Sequence, residues 1–222
     1  DVNGMLWVGT FKSGLLSYNK STKEFEQYLD LDENGEYAVQ NANRIRTIYE
    51  DRSGTLWIGH DGGYLSKFDR TKKTFKYYFH DEEDPRSLSN RRVTSILEDH
   101  RGILWIGTGD GVSIYDAKND NFRVIRSIEN NPFSIGDNYI RVIFEDKANS
   151  IWFGTDSYGV AVYHRSSGKF NHISKDSYDV EGLESNTIFC FEEDRNGNIW
   201  VGTIGSGLCV YDQQKNRFKY YY

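Results

Sequence analysis

Short runs of β-branched and aromatic residues alternate with polar turns along the whole chain, and helical spacing of apolar positions is not sustained anywhere. Runs such as RVTSILED (92–99), LWIG (104–107) and GLCVYD (207–212) are separated by turns rich in Gly, Asn and Asp. This pattern predicts short strands joined as antiparallel meanders. Because both faces of these strands carry apolar residues, each small sheet must be covered on both sides. Radial stacking of like sheets supplies that cover, so the pattern predicts an all-β fold, a β-propeller of four-stranded antiparallel blades.

A repeat of nearly constant length organises these strands. The five Trp residues, Trp7, Trp57, Trp105, Trp152 and Trp200, are separated by 50, 48, 47 and 48 residues. A fixed period in this range indicates a repeat architecture. We expect one propeller segment over 1–222, with repeats at approximately 1–41, 42–89, 90–136, 137–184 and 185–222 and with the inner strand of the first repeat missing. We also expect the five blades to be part of a seven-bladed ring, and each indole to pack between neighbouring blades.

Three other sets of residues have predicted structural roles. An Asp precedes the first turn of each repeat, where its carboxylate can accept backbone N–H bonds. Thr10, Thr108, Thr155 and Thr203 are expected to bond across adjacent strands. Cys190 and Cys209 fall on strands separated by a third strand, too far apart for a disulfide, and are expected to be buried free thiols.

Composition excludes several classes of function. The net charge of -6 and the absence of a long basic run argue against nucleic acid as a partner, and charged residues at 27% of the chain argue against direct membrane insertion. The five His residues show no metal-ligand spacing, and neither a nucleophile motif nor a phosphate loop is present. DLDENG, with Asp30, Asp32 and Asn34, resembles half of a calcium loop, but Asn41 stands where the bidentate Glu is needed. We expect neither a metal nor a cofactor.

The variable connections between strands are the candidate binding surface, since function concentrates in loops on a rigid scaffold. Arginines gather where the inner strands begin, and they could form a basic collar that binds carboxylate or sulfate on an anionic glycan. The alternative is that they pair with loop acids such as Asp81, Glu82, Glu83 and Asp84. The collar residues are Arg44, Arg46, Arg91, Arg92 and Arg141.

Aromatic residues in the same loops could stack on sugar rings, or they could fill gaps between blades. They are Tyr37, Tyr64, Phe133, Tyr139, Tyr158 and Tyr178. His60 and Asp110, which lie in the loops after the second strands, complete the candidate ligand-binding residues.

The pattern I..I.ED..G.LWIGT..GGL..YD....F..Y, matched best by residues 93–125 and 186–220, resembles the two-component regulator propeller repeat. The resemblance implies paired seven-bladed propellers in the periplasmic sensor half of bacterial hybrid two-component systems. Such propellers precede a β-sandwich domain, a transmembrane helix and a cytoplasmic histidine kinase, and many of these sensors detect oligosaccharides. Two positions depart from the pattern: His60 replaces the usual Thr, and Asn149 replaces the turn Gly.

From these observations we expect a non-enzymatic sensor segment in the periplasmic ectodomain of an inner-membrane protein. Its expected partners are an oligosaccharide and a second copy of the parent ectodomain, while histidine kinase activity would lie elsewhere in the parent protein. One alternative is a scaffold for protein interaction or dimerisation that does not contact ligand. Another is a glycoside hydrolase, which would need two carboxylates about 5 to 9 Å apart beneath the loops.

Overall fold

The computed structural model describes residues 1–29, 43–175, 183–212, 215 and 217–221. The chain folds as two compact units, the first formed by Asp1–Ile106 with Ser113–Val124 and the second by Gly107–Val112 with Ile125–Tyr222. Throughout the described ranges the regular secondary structure is all β, so they contain no helix suited to crossing a membrane.

The strands form five antiparallel sheets, one for each repeat, in which neighbouring strands follow chain order. We number these sheets as blades 1 to 5. Blade 1 has three strands, β1 Leu6–Gly9, β2 Leu15–Asn19 and β3 Glu24–Tyr28. Blade 2 has four, β4 Ile45–Glu50, β5 Leu56–His60, β6 Leu65–Asp69 and β7 Thr74–Tyr78. Blade 3 contains β8 Val93–Glu98, β9 Leu104–Thr108, β10 Gly111–Asp116 and β11 Asn121–Ile125.

Blades 4 and 5 lie in the second unit. Blade 4 contains β12 Ile140–Glu145, β13 Ile151–Thr155, β14 Val160–His164 and β15 Lys169–Ile173. Blade 5 contains β16 Ile188–Glu193, β17 Ile199–Thr203, β18 Gly207–Asp212 and β19 Arg217–Tyr221. The predicted all-β fold of antiparallel meander blades is therefore confirmed.

One carboxylate in each blade ties the first turn to the Trp. In blade 2, Asp51 Oδ1 accepts the backbone N–H groups of Ser53 at 3.0 Å and Thr55 at 2.9 Å, while Oδ2 accepts the indole N–H of Trp57 at 2.8 Å. Burial works to raise the pKa of Asp51, but the hydrogen bonds from the Ser53 hydroxyl, the Trp57 indole and the two backbone N–H groups outweigh it, and the pKa is lowered. The same Asp–Trp bond recurs in every blade, as Asp1–Trp7, Asp51–Trp57, Asp99–Trp105, Asp146–Trp152 and Asp194–Trp200.

The turn held by this carboxylate also explains one departure from the repeat. Asn149 occupies the turn position that Gly fills elsewhere, and its φ is +65°. Asn tolerates this left-handed conformation better than other residues with a side chain. The substitution therefore keeps the shape of the turn.

In three blades the Glu that precedes the turn Asp bonds to the turn of the preceding blade. Glu98 Oε2 accepts the backbone N–H of Arg52 at 2.7 Å, and Arg52 directly follows the turn Asp of blade 2. Glu50 accepts from Val2 in the same way, and Glu193 accepts from Lys147. The two acids of the recurring Glu-Asp pair thus have different roles. The Asp closes a turn within its own blade, and the Glu bonds to the turn of the neighbouring blade.

Aromatic packing follows the same register. The Trp57 ring lies 4.8 Å from the ring of Tyr115 in the next blade, and the Trp152 ring lies 5.8 Å from that of Tyr211 in blade 5. The Trp57 and Trp152 side chains are 2% and 3% exposed. These contacts bury large apolar areas between sheets, which is the main favourable contribution to folding.

A glycine in the second strand allows the next blade to approach closely. A Cβ placed on Gly154 would lie 2.7 Å from Ile188 Cγ2 and 2.6 Å from Val142 Cγ1, both too close for carbon atoms. Gly59 meets Val93 and Gly9 meets Ile45 in the same way. Ile188, Val93 and Ile45 each begin the inner strand of the following blade, so the glycine sets the spacing between sheets.

The prediction for the cysteines was half wrong. Both are free thiols, but Cys190 is exposed and Cys209 is buried. Cys190 lies on the innermost strand, β16, immediately after the β-bulge between Ile188 and Cys190, whereas Cys209 lies on β18 within the core of blade 5. Burial raises the pKa of Cys209 to about 11.

Replacing Asp146 with Ala should destabilise the protein by about 2 to 4 kcal/mol, because it leaves the buried Trp152 indole N–H and the Ser150 backbone N–H without their acceptor. Urea unfolding followed by Trp fluorescence measures this. Asp194→Ala is the matched control, since Trp200 is only partly buried and its bond is longer, 3.3 Å. Equal losses of unfolding free energy at the two positions would contradict the stabilising role of the buried Asp146–Trp152 hydrogen bond.

A thiol reagent such as dithiobis(nitrobenzoic acid) should modify one cysteine per native chain at pH 8 and two after denaturation. Cys190 is accessible, while Cys209 is shielded and its thiol remains protonated. Cys190→Ser should abolish the native reaction. A rapid native reaction that persists in this variant would show that Cys209 is reachable.

Candidate functional site

The loop face of each blade carries the connection from its second to its third strand and the connection to the next blade. In most blades the first of these connections is closed by a Thr hydroxyl. Thr155 Oγ1 donates to the Gly159 carbonyl at 2.9 Å and accepts the Tyr158 backbone N–H at 3.0 Å. As expected from the sequence, the other three Thr residues make the same bond across the loop, Thr10 to Gly14, Thr108 to Gly111 and Thr203 to Gly207.

Blade 2 replaces this Thr–Gly pair with a pair of rings in contact, tilted by 34° to each other. His60 stands at the Thr position and Tyr64 at the Gly position, and their ring centroids are 4.2 Å apart. His60 is 2% exposed and Tyr64 is 0% exposed, and His60 Nε2 lies 3.0 Å from Ser66 Oγ. Both side chains are therefore buried in this structure, not exposed on the predicted ligand surface. Tyr64 is buried because it also packs edge-on against Tyr77 and near Phe79.

Most of the arginine collar is paired with aspartates. Asp61, directly after β5, lies 2.9 Å from Arg92 Nε and 3.6 Å from Arg44 Nη2. Arg141 donates to Asp156, the equivalent residue of blade 4. These three arginines therefore pair with loop acids, which was the alternative to a ligand-binding collar. The acids are Asp61 and Asp156 and not those at 81–84. Asp61 and Asp156 take this role because each follows the second strand and its backbone N–H bonds to the start of the inner strand.

Two collar arginines have no ion pair with any residue in the described ranges. Arg46 and Arg91 are both exposed. Arg46 sits in a β-bulge between Ile45 and Thr47, and Arg141 sits in the equivalent bulge of β12. A bulge leaves its extra residue outside the ladder and redirects the side chain. The bulges therefore take the Arg46 and Arg141 side chains out of the regular strand alternation, whereas Arg91 precedes β8.

Asp110 and Tyr139 also make contacts within the protein. Asp110 Oδ2 accepts from Arg126 Nε at 2.9 Å, and the side chains of this pair are 39% and 43% exposed. The Arg141 guanidinium lies over the Tyr139 ring at 5.5 Å. An exposed ion pair such as Asp110–Arg126 contributes about 0 to 1 kcal/mol, so a ligand could displace it at small cost.

A groove of about 450 Å³ opens on the loop face of the second unit. The connection from blade 3 to blade 4 contributes Ile128, Glu129 and Asn130 to its lining, and blade 4 contributes Tyr158 and His172. The volume is in the range that small ligands occupy, about 300 to 1,000 Å³. Among the proposed aromatics that lie in the described ranges, Tyr158 is the one that lines this groove.

Hydrogen bonds hold Tyr158 in place. Asp137 Oδ2 accepts both the backbone N–H and the hydroxyl of Ser157, at 2.9 and 2.8 Å, and Asp137 Oδ1 accepts the Tyr139 N–H at 3.0 Å. Asp137 therefore joins the two loops that flank the groove. The Tyr158 side chain is nevertheless 47% exposed. An exposed aromatic ring on a fixed backbone is a suitable binding platform, because little conformational entropy is lost on binding.

His172 on β15 lines the groove next to Tyr158. Its ring lies 5.2 Å from the Tyr158 ring, edge to face at 89°. Burial lowers the pKa of His172, and contacts with the carbonyls of Ser134 and Pro132 only partly oppose this shift. His172 is accordingly neutral at pH 7. Sequence analysis missed this residue because His172 lies on the outer strand β15, and only the fold brings it under the loop.

Other predicted residues cannot be placed. Tyr37, Tyr178 and the calcium candidates Asp30, Asp32 and Asn34 lie outside the described residues. Within the described ranges, His, Cys, Asp and Glu side chains do not gather into a group able to hold a metal ion.

Comparison with known proteins gives a consistent result. The sequence profile of the two component regulator propeller matches residues 40–62, 87–110, 134–157 and 182–205. A protein of Formosa agariphila named Histidine kinase P4 is 36% identical over 85 residues, which is 36% of this chain but 6% of that protein. The chain therefore spans a small part of this relative.

Two solved structures share the fold. The extracellular domain of a hybrid two component system from B. thetaiotaomicron superposes with a TM-score of 0.79 at 22% identity, over 99% of this chain and 28% of that one. A second such domain from the same organism gives a TM-score of 0.56 at 20% identity, over 100% of this chain and 34% of that one.

Replacing Tyr64 with Ala should cost about 3 to 5 kcal/mol of unfolding free energy, since it removes a fully buried ring from its packing against His60 and Tyr77. The same change at the exposed Tyr158 should cost under about 1 kcal/mol. Urea denaturation of the two variants compares them directly. A small loss at Tyr64 would mean that its ring is free to leave the core.

Proposed function

Because the chain carries repeats of the two-component regulator propeller family, we propose that it is a ligand-sensing segment in the periplasmic ectodomain of a hybrid two-component sensor. Its loop face contributes to recognition of an oligosaccharide. The segment is non-enzymatic, and histidine kinase activity resides elsewhere in the parent protein. The kinase named among its relatives supports this assignment.

The contrast between the two ends of the blades carries the proposal. At the turn end, the same Asp–Trp and Glu–backbone bonds recur from blade to blade. At the loop end the blades differ, since blade 2 has the His60–Tyr64 ring pair and blade 4 has the groove beside Tyr158. A regular scaffold with individual loops is the arrangement expected of a recognition surface.

Signalling requires that the ligand favour one arrangement of the parent ectodomain over another. A ligand can shift such a balance only through different affinities for the two states. We propose that the parent ectodomain acts as a homodimer, and that an oligosaccharide bound at the loop face stabilises one of its arrangements. The groove, lined by residues from two connections, offers contacts that would change if those connections moved.

Calorimetry of the complete ectodomain against a panel of neutral and anionic oligosaccharides tests the proposal. We expect at least one glycan to bind. If none binds while the ectodomain still forms dimers, the segment is a dimerisation scaffold. Release of reducing ends from any glycan by the purified ectodomain would instead identify a glycoside hydrolase.

A further inference from the structure

The groove is specific to one of two connections that otherwise share their local structure. In the connection between blades 2 and 3, Ser87 Oγ donates to the Asp81 carbonyl at 2.9 Å and accepts the Asp81 N–H at 3.0 Å. In the connection between blades 3 and 4, Ser134 Oγ makes the equivalent bonds with Ile128, at 3.3 and 3.1 Å. Both connections contain a Pro two residues before this Ser. The backbone framework is therefore common, and the differences lie in a few side chains.

One of these differences is Gly136, which stands where the other connection has Ser89. Ser89 is 1% exposed and its hydroxyl accepts a hydrogen bond from Ser113 at 2.9 Å, so its side chain fills the space. A Cβ on Gly136 would lie 2.6 Å from Tyr158 Cδ1 and 2.9 Å from His172 Cε1. Only glycine leaves room for both rings at this position, where φ is +84°.

The second difference is the neighbouring loop of the following blade. From Thr155 to Gly159 this loop is one residue longer than from Thr108 to Gly111, and the additional length presents Tyr158. One side of the Tyr158 ring rests on Gly136, and 47% of the side chain stays exposed. The ring thus forms a flat apolar surface within the groove.

The charge of the groove limits what can bind there. Glu129 is the one charged side chain among the described residues that line it, and no Lys or Arg belongs to that lining. The remaining polar lining consists of neutral Asn, Ser and His side chains. A carboxylate or sulfate group would meet the Glu129 charge without a cation to offset it.

We infer that the groove formed by Gly136, Tyr158, His172 and Glu129 is a binding site for an uncharged pyranose unit of an oligosaccharide. The apolar face of the sugar stacks on Tyr158, and its hydroxyl groups donate to the Glu129 carboxylate. The Asn130 side chain supplies both a donor and an acceptor. This inference rests on the proposed function and narrows it, because it assigns the site and excludes an anionic sugar at that site.

The arginine collar is the competing site. An anionic glycan would bind at the exposed Arg46 and Arg91, or would displace Asp61 from Arg44 and Arg92. Both of these sites lie in the first unit, whereas the groove lies wholly in the second. Substitutions in the first unit therefore test binding at the arginines, and substitutions in the second unit test binding in the groove.

The test is calorimetry of the complete ectodomain with cello-, xylo-, manno- and galacto-oligosaccharides, and with oligogalacturonate and sulfated galactan oligosaccharides as the anionic set. Tyr158→Ala should weaken binding of a neutral oligosaccharide by at least about 10-fold, as loss of a central aromatic contact does. Tyr221→Ala is the matched control, since Tyr221 is 44% exposed but lies in β19, away from the groove. Gly136→Ala, which displaces Tyr158 without removing it, should weaken binding in the same direction.

The outcomes are distinct. Binding of a neutral oligosaccharide that is lost in Tyr158→Ala and kept in Tyr221→Ala supports the inference. Neutral binding that survives both Tyr158→Ala and Gly136→Ala overturns it while leaving oligosaccharide sensing intact. Binding of the anionic set alone, lost on Arg46→Ala and Arg91→Ala, also overturns it and moves the site to the collar. If no glycan of either set binds, the proposed function fails together with the inference.

Discussion

The hydrogen bond from each Trp indole to the Asp six residues before it is the interaction on which the rest of the structure depends. One oxygen of that Asp fixes a tight turn and the other fixes the indole, so the turn and the packing surface cannot move independently. The indole then packs against rings of the neighbouring blade, as Trp57 does with Tyr115. Since the bond recurs in every blade, the same local arrangement is present in all five sheets.

This arrangement confines variation to the loop ends of the blades. At the turn end, the backbone N–H of Arg52 is occupied by Glu98 of the next blade, and that of Lys147 is occupied by Glu193. An insertion there would break bonds within a blade and between blades. At the loop end the Thr–Gly bond is local. Blade 2 replaces it with the His60–Tyr64 ring pair, while β5 still pairs with β4 and β6. The loop end can thus change without cost to the scaffold, which is the condition for acquiring a binding site.

Electrostatics distinguish the two candidate regions of the loop face. The arginines that suggested an anionic ligand are largely engaged, with Arg44 and Arg92 sharing Asp61 and Arg141 bonded to Asp156. Their charges serve first to hold the start of each inner strand. The groove beside Tyr158 is instead poor in charge and includes an exposed ring on a fixed backbone. Such a surface suits a ligand with one apolar face and a rim of hydroxyl groups.

The sequence by itself determined the strands, the repeat and the turn residues, because side-chain alternation and turn chemistry are local and appear once per repeat. It pointed to the Asp carboxylates as turn acceptors but not as Trp partners, and the role of the recurring Glu needed the neighbouring blade in view. Only the tertiary structure decided between Tyr64 and Tyr158, which occupy the same kind of loop. The Tyr64 ring packs against His60 and Tyr77 and is fully buried, whereas Tyr158 rests on Gly136 and keeps nearly half of its surface exposed. The burial of each tyrosine depends on the residues that the fold places beside it, and these residues come from other strands and loops.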